Sequence, residues 1–121
     1  SWVAGRTRPL DIYGPPGVAQ VVDGFRAAYA LDAQYRVAHH GEGAMPTAAA
    51  GAVAHAVDLP AADGEQVFFD EDGVRIVAFA VDHAPVAPAY GYRIEYGGRS
   101  LVISGDTKES SNLAAHARGA D

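Results

Sequence analysis

Two adjacent glycines, Gly97-Gly98, stand between two alternating runs, Gly91-Tyr92-Arg93-Ile94-Glu95-Tyr96 and Arg99-Ser100-Leu101-Val102-Ile103-Ser104. A two-residue hairpin turn needs positive φ at both central positions, which glycine supplies without steric penalty. That spacing predicts a hairpin and fixes its register: Tyr96 faces Arg99, Ile94 faces Leu101 and Tyr92 faces Ile103. Upstream, the β-branched and aromatic run Val74–Val81 reads as a third strand and ends at Asp82-His83-Ala84-Pro85. Downstream the hairpin leads into Gly105-Asp106-Thr107. Continued, the register sets Asp106 opposite Ala89, at the end away from the turn, where the loop from Asp82 to Pro88 must also enter. His83 and Asp106 are therefore expected at one rim of the sheet. An imidazole and a carboxylate placed so are compatible with three roles: metal ligands, an acid/base pair, or an ordinary hydrogen-bonded pair.

A chain of 121 residues fits one small domain or part of a larger one. Hydrophobic residues make up 49% of it, and no apolar run approaches the roughly 18 residues of a membrane-spanning helix. The formal charge of −6 argues against an extended basic surface for nucleic acid. Without cysteine there are no disulfides and no thiolate ligands. The opening Ser1-Trp2-Val3 carries no signal-peptide pattern, and the last residues, Ala114–Asp121, read as a helix, its glycine cap and the approach to another strand. An internal segment of a longer protein, forming a single partial domain over residues 1–121, is the expectation. The compartment stays open between cytoplasm and periplasm.

Along the chain, Leu10-Asp11-Ile12-Tyr13 reads as a short strand and Gly14-Pro15-Pro16-Gly17 as a loop. From Val18 to about Ala30, Val18, Val21, Val22, Phe25, Ala28 and Tyr29 recur at helical spacing. The glycines before this helix invite a phosphate-cradle reading, but no GxGxxG or Lys-Ser/Thr pair follows, so a structural turn is favoured. Gln34–Ala38 is read as a short strand, His39-His40-Gly41-Glu42-Gly43 as a polar loop, and Met45–Ala50 as a connection. Neighbouring histidines point different ways on a regular backbone, so His39 and His40 are at most residues lining a pocket. Val53–Leu59 alternates as a strand, with His55 a packed or edge residue. Gln66–Phe69 is a further strand, and Asp70-Glu71-Asp72-Gly73 is a hairpin turn rather than a calcium loop, for which the remaining ligands are missing. Ser110-Ser111-Asn112 offers capping groups to a helix carrying Leu113 and Ala117, with His116 in its last turn. The sum is an α/β protein, a mixed sheet with an antiparallel second half.

Three strings in register carry a resemblance: Leu10–Gly17 (LDIYGPPG), Val81–Pro85 (VDHAP) with Gly91-Tyr92-Arg93-Ile94, and Ser104-Gly105-Asp106-Thr107 followed by Gly119-Ala120-Asp121. Together they resemble the middle of a metallo-β-lactamase-fold hydrolase of the ribonuclease Z and arylsulfatase-like branch, over nearly the whole chain. The resemblance implies part of a four-layer αβ/βα sandwich and two divalent metal ions, zinc in most members. It implies His83 as a ligand of one ion, Asp106 as the carboxylate bridging both, and Thr107 as the partner that orients Asp106. It also implies a metal-bound hydroxide as the nucleophile.

The HxHxDH motif of that family and its final ligand histidine have no counterpart in these residues. Two ligands cannot fill a tetrahedral site, so this chain by itself is expected to bind zinc weakly and to be inactive. The reading favoured from the sequence is a dinuclear metallohydrolase acting on phosphodiester or related small ester bonds. One alternative is a non-catalytic domain that keeps the fold and binds a partner at the His83 rim. Another, within the enzyme class, is a tRNA 3′-processing endoribonuclease, disfavoured because residues 37–53 hold no basic arm and the net charge is acidic. Expected partners are thus a small ester or phosphodiester, nucleic acid less so, a second copy in a homodimer, and no membrane.

Overall fold

The computed structural model describes residues 2–59 and 63–121. It divides into two compact units, Ser1–Ala56 and Val57–Asp121.

In the first unit, strand β1 (Leu10–Gly14) pairs in parallel with β2 (Ala52–Ala56), from Leu10↔Ala52 to Gly14↔Ala56. A parallel pair needs a crossover, and two helices supply it: α1 (Val18–Ala28) and α2 (Ala30–His40). Gly17, at φ 100°, turns the chain into α1, a conformation that side-chain-bearing residues rarely adopt. Val22 is the buried residue of α1, whereas Val21, Phe25 and Tyr29 remain exposed along one stripe.

Helix α2 corrects two sequence expectations. Gln34–Ala38 is helical rather than a strand, and His39 and His40 close the helix rather than sit in a loop. The Arg36 Nε donates to Asp32 Oδ2 at 2.6 Å, one turn apart on α2. Met45–Ala50 is also more than a connection. It holds a 3-10 turn at Thr47–Ala49, and Met45 and Ala49 are buried, at 1% and 0% exposure. Trp2 Nε1 donates to the Pro46 carbonyl at 3.1 Å, and the Glu42 carboxylate accepts from both the backbone N–H and the hydroxyl of Thr47. Those two bonds hold the Glu42 carboxyl below its ordinary range.

The second unit is a four-stranded antiparallel meander, β3 (Glu65–Glu71), β4 (Val74–Ala80), β5 (Tyr90–Tyr96) and β6 (Arg99–Ile103), followed by the short helix α3 (Ser111–His116). The β5–β6 ladder runs Tyr96↔Arg99, Ile94↔Leu101 and Tyr92↔Ile103, the register that the glycine pair demands. Both tight turns use positive φ, at Asp72-Gly73 (53° and 77°) and at Gly97-Gly98 (58° and 79°). The ladder between β3 and β4 shifts between Val67 and Phe69, a bulge. Four consecutive residues of β4, Val77 to Ala80, are buried, so this central strand carries the core together with Val57 and Tyr90. The Tyr90 hydroxyl donates to the Val57 carbonyl at 3.0 Å, which satisfies the one polar atom on that buried ring. Parallel and antiparallel pairings thus occupy two separate sheets among the described residues.

Candidate metal-ligand rim

The rim at the far end of the meander is built from two loops. One leaves β4: Val81 N–H donates to the Ala89 carbonyl at 2.9 Å, Ala84 N–H to Asp82 Oδ1 at 3.0 Å, and Val86 N–H to the His83 carbonyl at 2.9 Å. These short-range bonds fold residues 82–86 into a compact corner with His83 half-exposed. The other loop leaves β6. Gly105 takes φ +63°, and a Cβ there would lie 2.7 Å from the Tyr90 carbonyl oxygen, so only glycine fits this approach.

One acceptor joins the two loops. The Asp82 carbonyl takes Lys108 N–H at 2.7 Å and the Thr107 hydroxyl at 3.0 Å. His83 follows the acceptor residue and Asp106 precedes the donor residue, so both lie one residue from the same junction. The ladder stops at Tyr92↔Ile103, and Asp106 sits in the loop beyond it with an exposed side chain. Among the described residues no hydrogen bond or ion pair engages the His83 ring or the Asp106 carboxylate, which removes the hydrogen-bonded-pair reading. The Thr107 hydroxyl bonds to Asp82 and to the Lys108 carbonyl at 2.8 Å, so it ties loop to loop where an orienting bond to Asp106 was expected.

Of the other histidines, His39 and His40 lie at the end of α2, exposed and packed edge-on with ring centroids 4.7 Å apart. His55 bonds to Asp11 Oδ1 at 2.8 Å and stacks on Tyr13 at 4.6 Å, an edge residue as its alternation suggested. His116 is the surprise. Its side chain is only 14% exposed, its ring lies against Phe79 at 4.1 Å and 10°, and its two nitrogens face the Asn112 carbonyl (2.9 Å) and Glu65 Oε2 (2.6 Å). Glu65 is 51 residues away, so no local pattern could have announced this contact. Asn112 was legible only as a capping residue; its side-chain amide instead reaches the Ala80 carbonyl at 2.8 Å. On the sheet, Arg93 and then Arg75 donate to the Glu95 carboxylate, each at 2.9 Å, and hold its carboxyl below the ordinary carboxylate range.

The donor set can be tested against the metal centre that the resemblance implies. Among the described residues no group of three His, Cys, Asp or Glu side chains is placed to hold a metal ion. A structural or catalytic zinc takes at least three protein ligands, so the residues of this chain alone do not complete such a centre. No helix among the described residues is long and apolar enough to cross a membrane.

No protein-family model matches the chain. Ribonuclease Z of Mycobacterium sp. (strain KMS) is 41% identical over 112 residues, covering 93% of this chain and 36% of that protein. Ribonuclease Z of Mycobacterium tuberculosis (strain H37Rv) is 40% identical over 124 aligned positions, covering 100% of this chain and 42% of its own length. The chain therefore spans about two-fifths of the curated relatives it matches. The crystal structure of human tRNase Z, short form, superposes with a TM-score of 0.58 over 95% of this chain and 44% of that one, at 19% identity. Similar to these relatives along its length and to this structure in its fold, the chain is ribonuclease Z-like and has the architecture of part of a metallo-β-lactamase fold.

Proposed function

We propose that this chain is the central segment of a metal-dependent phosphodiesterase that removes the 3′ trailer from precursor tRNA. The observation that carries the reading is identity of about two in five to proteins named ribonuclease Z across the length of the chain. It favours the endoribonuclease over the broader phosphodiester or small-ester hydrolase preferred from the sequence. The net charge of −6 is no obstacle, because cleavage of one phosphodiester needs positive charge at that phosphate rather than over the whole surface.

In this reading His83 and Asp106 act as metal ligands, completed by donors outside these residues. The chemistry such ions supply when bound is a water of lowered pKa and neutralisation of charge on the phosphoryl oxygens. What this chain does is hold two of the donors at one corner, with the Asp82 carbonyl as the shared anchor. The metal's identity as zinc, the bridging role of Asp106 and a homodimeric state belong to the same proposal.

The test is trailer release from a precursor tRNA by the full-length protein, with zinc or manganese supplied. His83→Ala and Asp106→Ala should each lower kcat by roughly 10²–10³-fold, the range for removing one group that stabilises a transition state. Their thermal midpoints should stay near that of the parent. A parent protein that releases no trailer, or two variants that cleave at the parental rate, would end the reading.

A further inference from the structure

We propose that Asn112 is a positioning residue for the His83–Asp106 corner; this rests on the function proposed above. The pairing of β3 with β4 ends at Glu65↔Phe79 and β4 itself at Ala80, beyond which Val81 N–H still donates to the Ala89 carbonyl. The N–H and carbonyl of one strand residue point to the same side, so those of Ala80 face the side where β3 runs out. The Ala80 N–H still finds the Gly64 carbonyl on that side, at 3.0 Å. Its carbonyl does not meet a strand.

Residues 107–112 take the strand's place. The Asn112 amide donates to the Ala80 carbonyl at 2.8 Å and reaches the Asp63 carbonyl at 3.4 Å, bridging the end of β4 to the segment that enters β3. Two residues on, the Asp82 carbonyl takes Lys108 N–H and the Thr107 hydroxyl. The opposite side of this overhang is held by Val81 N–H on Ala89.

Asn112 is itself pinned. Its own carbonyl faces His116 Nδ1, whose ring is fixed between Phe79 and the Glu65 carboxylate. The side chain of Asn112 is thus a substitute rung of the ladder, and the rung beyond it is the junction next to His83 in one loop and Asp106 in the other. Asn112 touches neither residue; it sets the line on which their two loops are joined.

The experiment compares the full-length protein with Asn112→Ala and Asn112→Asp, the latter presenting an acceptor where Ala80 offers an acceptor. Both should raise amide exchange at Lys108 about tenfold, since one supporting hydrogen bond of the junction is gone. Both should lower kcat for trailer release by about ten- to a hundredfold with KM unchanged, as a displaced but intact constellation does. A merely structural residue would lower the melting temperature and leave kcat per folded molecule and Lys108 exchange at parental values; that result overturns the proposal. Raised exchange with unchanged kcat overturns it too. Should Asn112→Ala fail to fold, Asn112→Gln keeps the amide but misplaces it by one methylene, and the same two readouts apply. If the parent releases no trailer, the function reading fails by that result, and Lys108 exchange alone decides whether the rung exists.

Discussion

Replacing Gly91 by alanine puts the packing of the second unit to a quantitative test. Gly91 lies opposite Phe79 on the neighbouring strand, and the Phe79 ring lies over its backbone. A Cβ at position 91 would sit 2.5 Å from both Cε2 and Cζ of that ring and 3.3 Å from the Ile103 carbonyl oxygen. Carbon atoms in contact rest at about 3.5–4.0 Å, so the ring must retreat by about 1 Å. It has nowhere to go: Phe79 is 0% exposed, and the His116 ring stacks on it at 4.1 Å. Overpacking of this kind costs about 1–3 kcal/mol, against which alanine regains about 0.5–1 kcal/mol through the lower entropy of its unfolded chain. The net loss centres on about 1 kcal/mol, read by urea unfolding followed by circular dichroism at unchanged m-value. Shortening the ring as Phe79→Leu makes room for the methyl, so the double variant should lose at least about 1 kcal/mol less than the sum of the two single ones. Additivity within about 0.5 kcal/mol, or a Gly91→Ala protein as stable as its parent, would refute the packing account.

Two further substitutions follow from the geometry. Gly105→Ala meets a backbone carbonyl rather than a movable side chain and holds positive φ, so it should lower the thermal midpoint and, by shifting Asp106, the trailer release proposed for the full-length protein; a parental thermal midpoint would contradict the placement. Glu95 is held below its ordinary value of 4.5 first by Arg93 and then by Arg75, so its contribution to stability is present above that value and is lost as pH falls through the lowered one. Glu95→Gln should therefore be less stable than the parent near neutrality, with the gap closing in acid; a gap constant from about pH 7 to about pH 3 would show that the ion pairs contribute nothing.

How much of this was readable beforehand depends on the range of the forces involved. The β5–β6 register was legible because Gly97-Gly98 leaves one turn geometry; the turn expected over Asp70–Gly73 narrows to Asp72-Gly73, because β3 runs on to Glu71. Helix α1 was legible from its 3.6-residue apolar period, and the Ser110 cap of α3 from residue type, its hydroxyl accepting Leu113 N–H at 3.3 Å. Helix α2 was missed because Tyr35 and Val37 favour strands while the opposing signal, the Asp32–Arg36 pair at helical spacing, is worth only a few tenths of a kcal/mol. Met45 and Ala49 are buried although a run of small residues carries no period that would mark them. The rim itself was anticipated as a meeting of two strand ends; the Asp82 carbonyl that joins them was not, since a backbone acceptor has no signature in side-chain letters.

The outer edge of β6 shows a different economy. At Ser100 the backbone carbonyl accepts Asp121 N–H at 2.9 Å, and the Ser100 N–H donates to the Asp121 carboxylate at 2.8 Å. A side chain here imitates the acceptor that another strand would bring, and it brings a negative charge with it. Any strand pairing with β6 at Ser100 would first have to displace that carboxylate from the Ser100 N–H, so the aspartate sets a cost on which partner the strand accepts there.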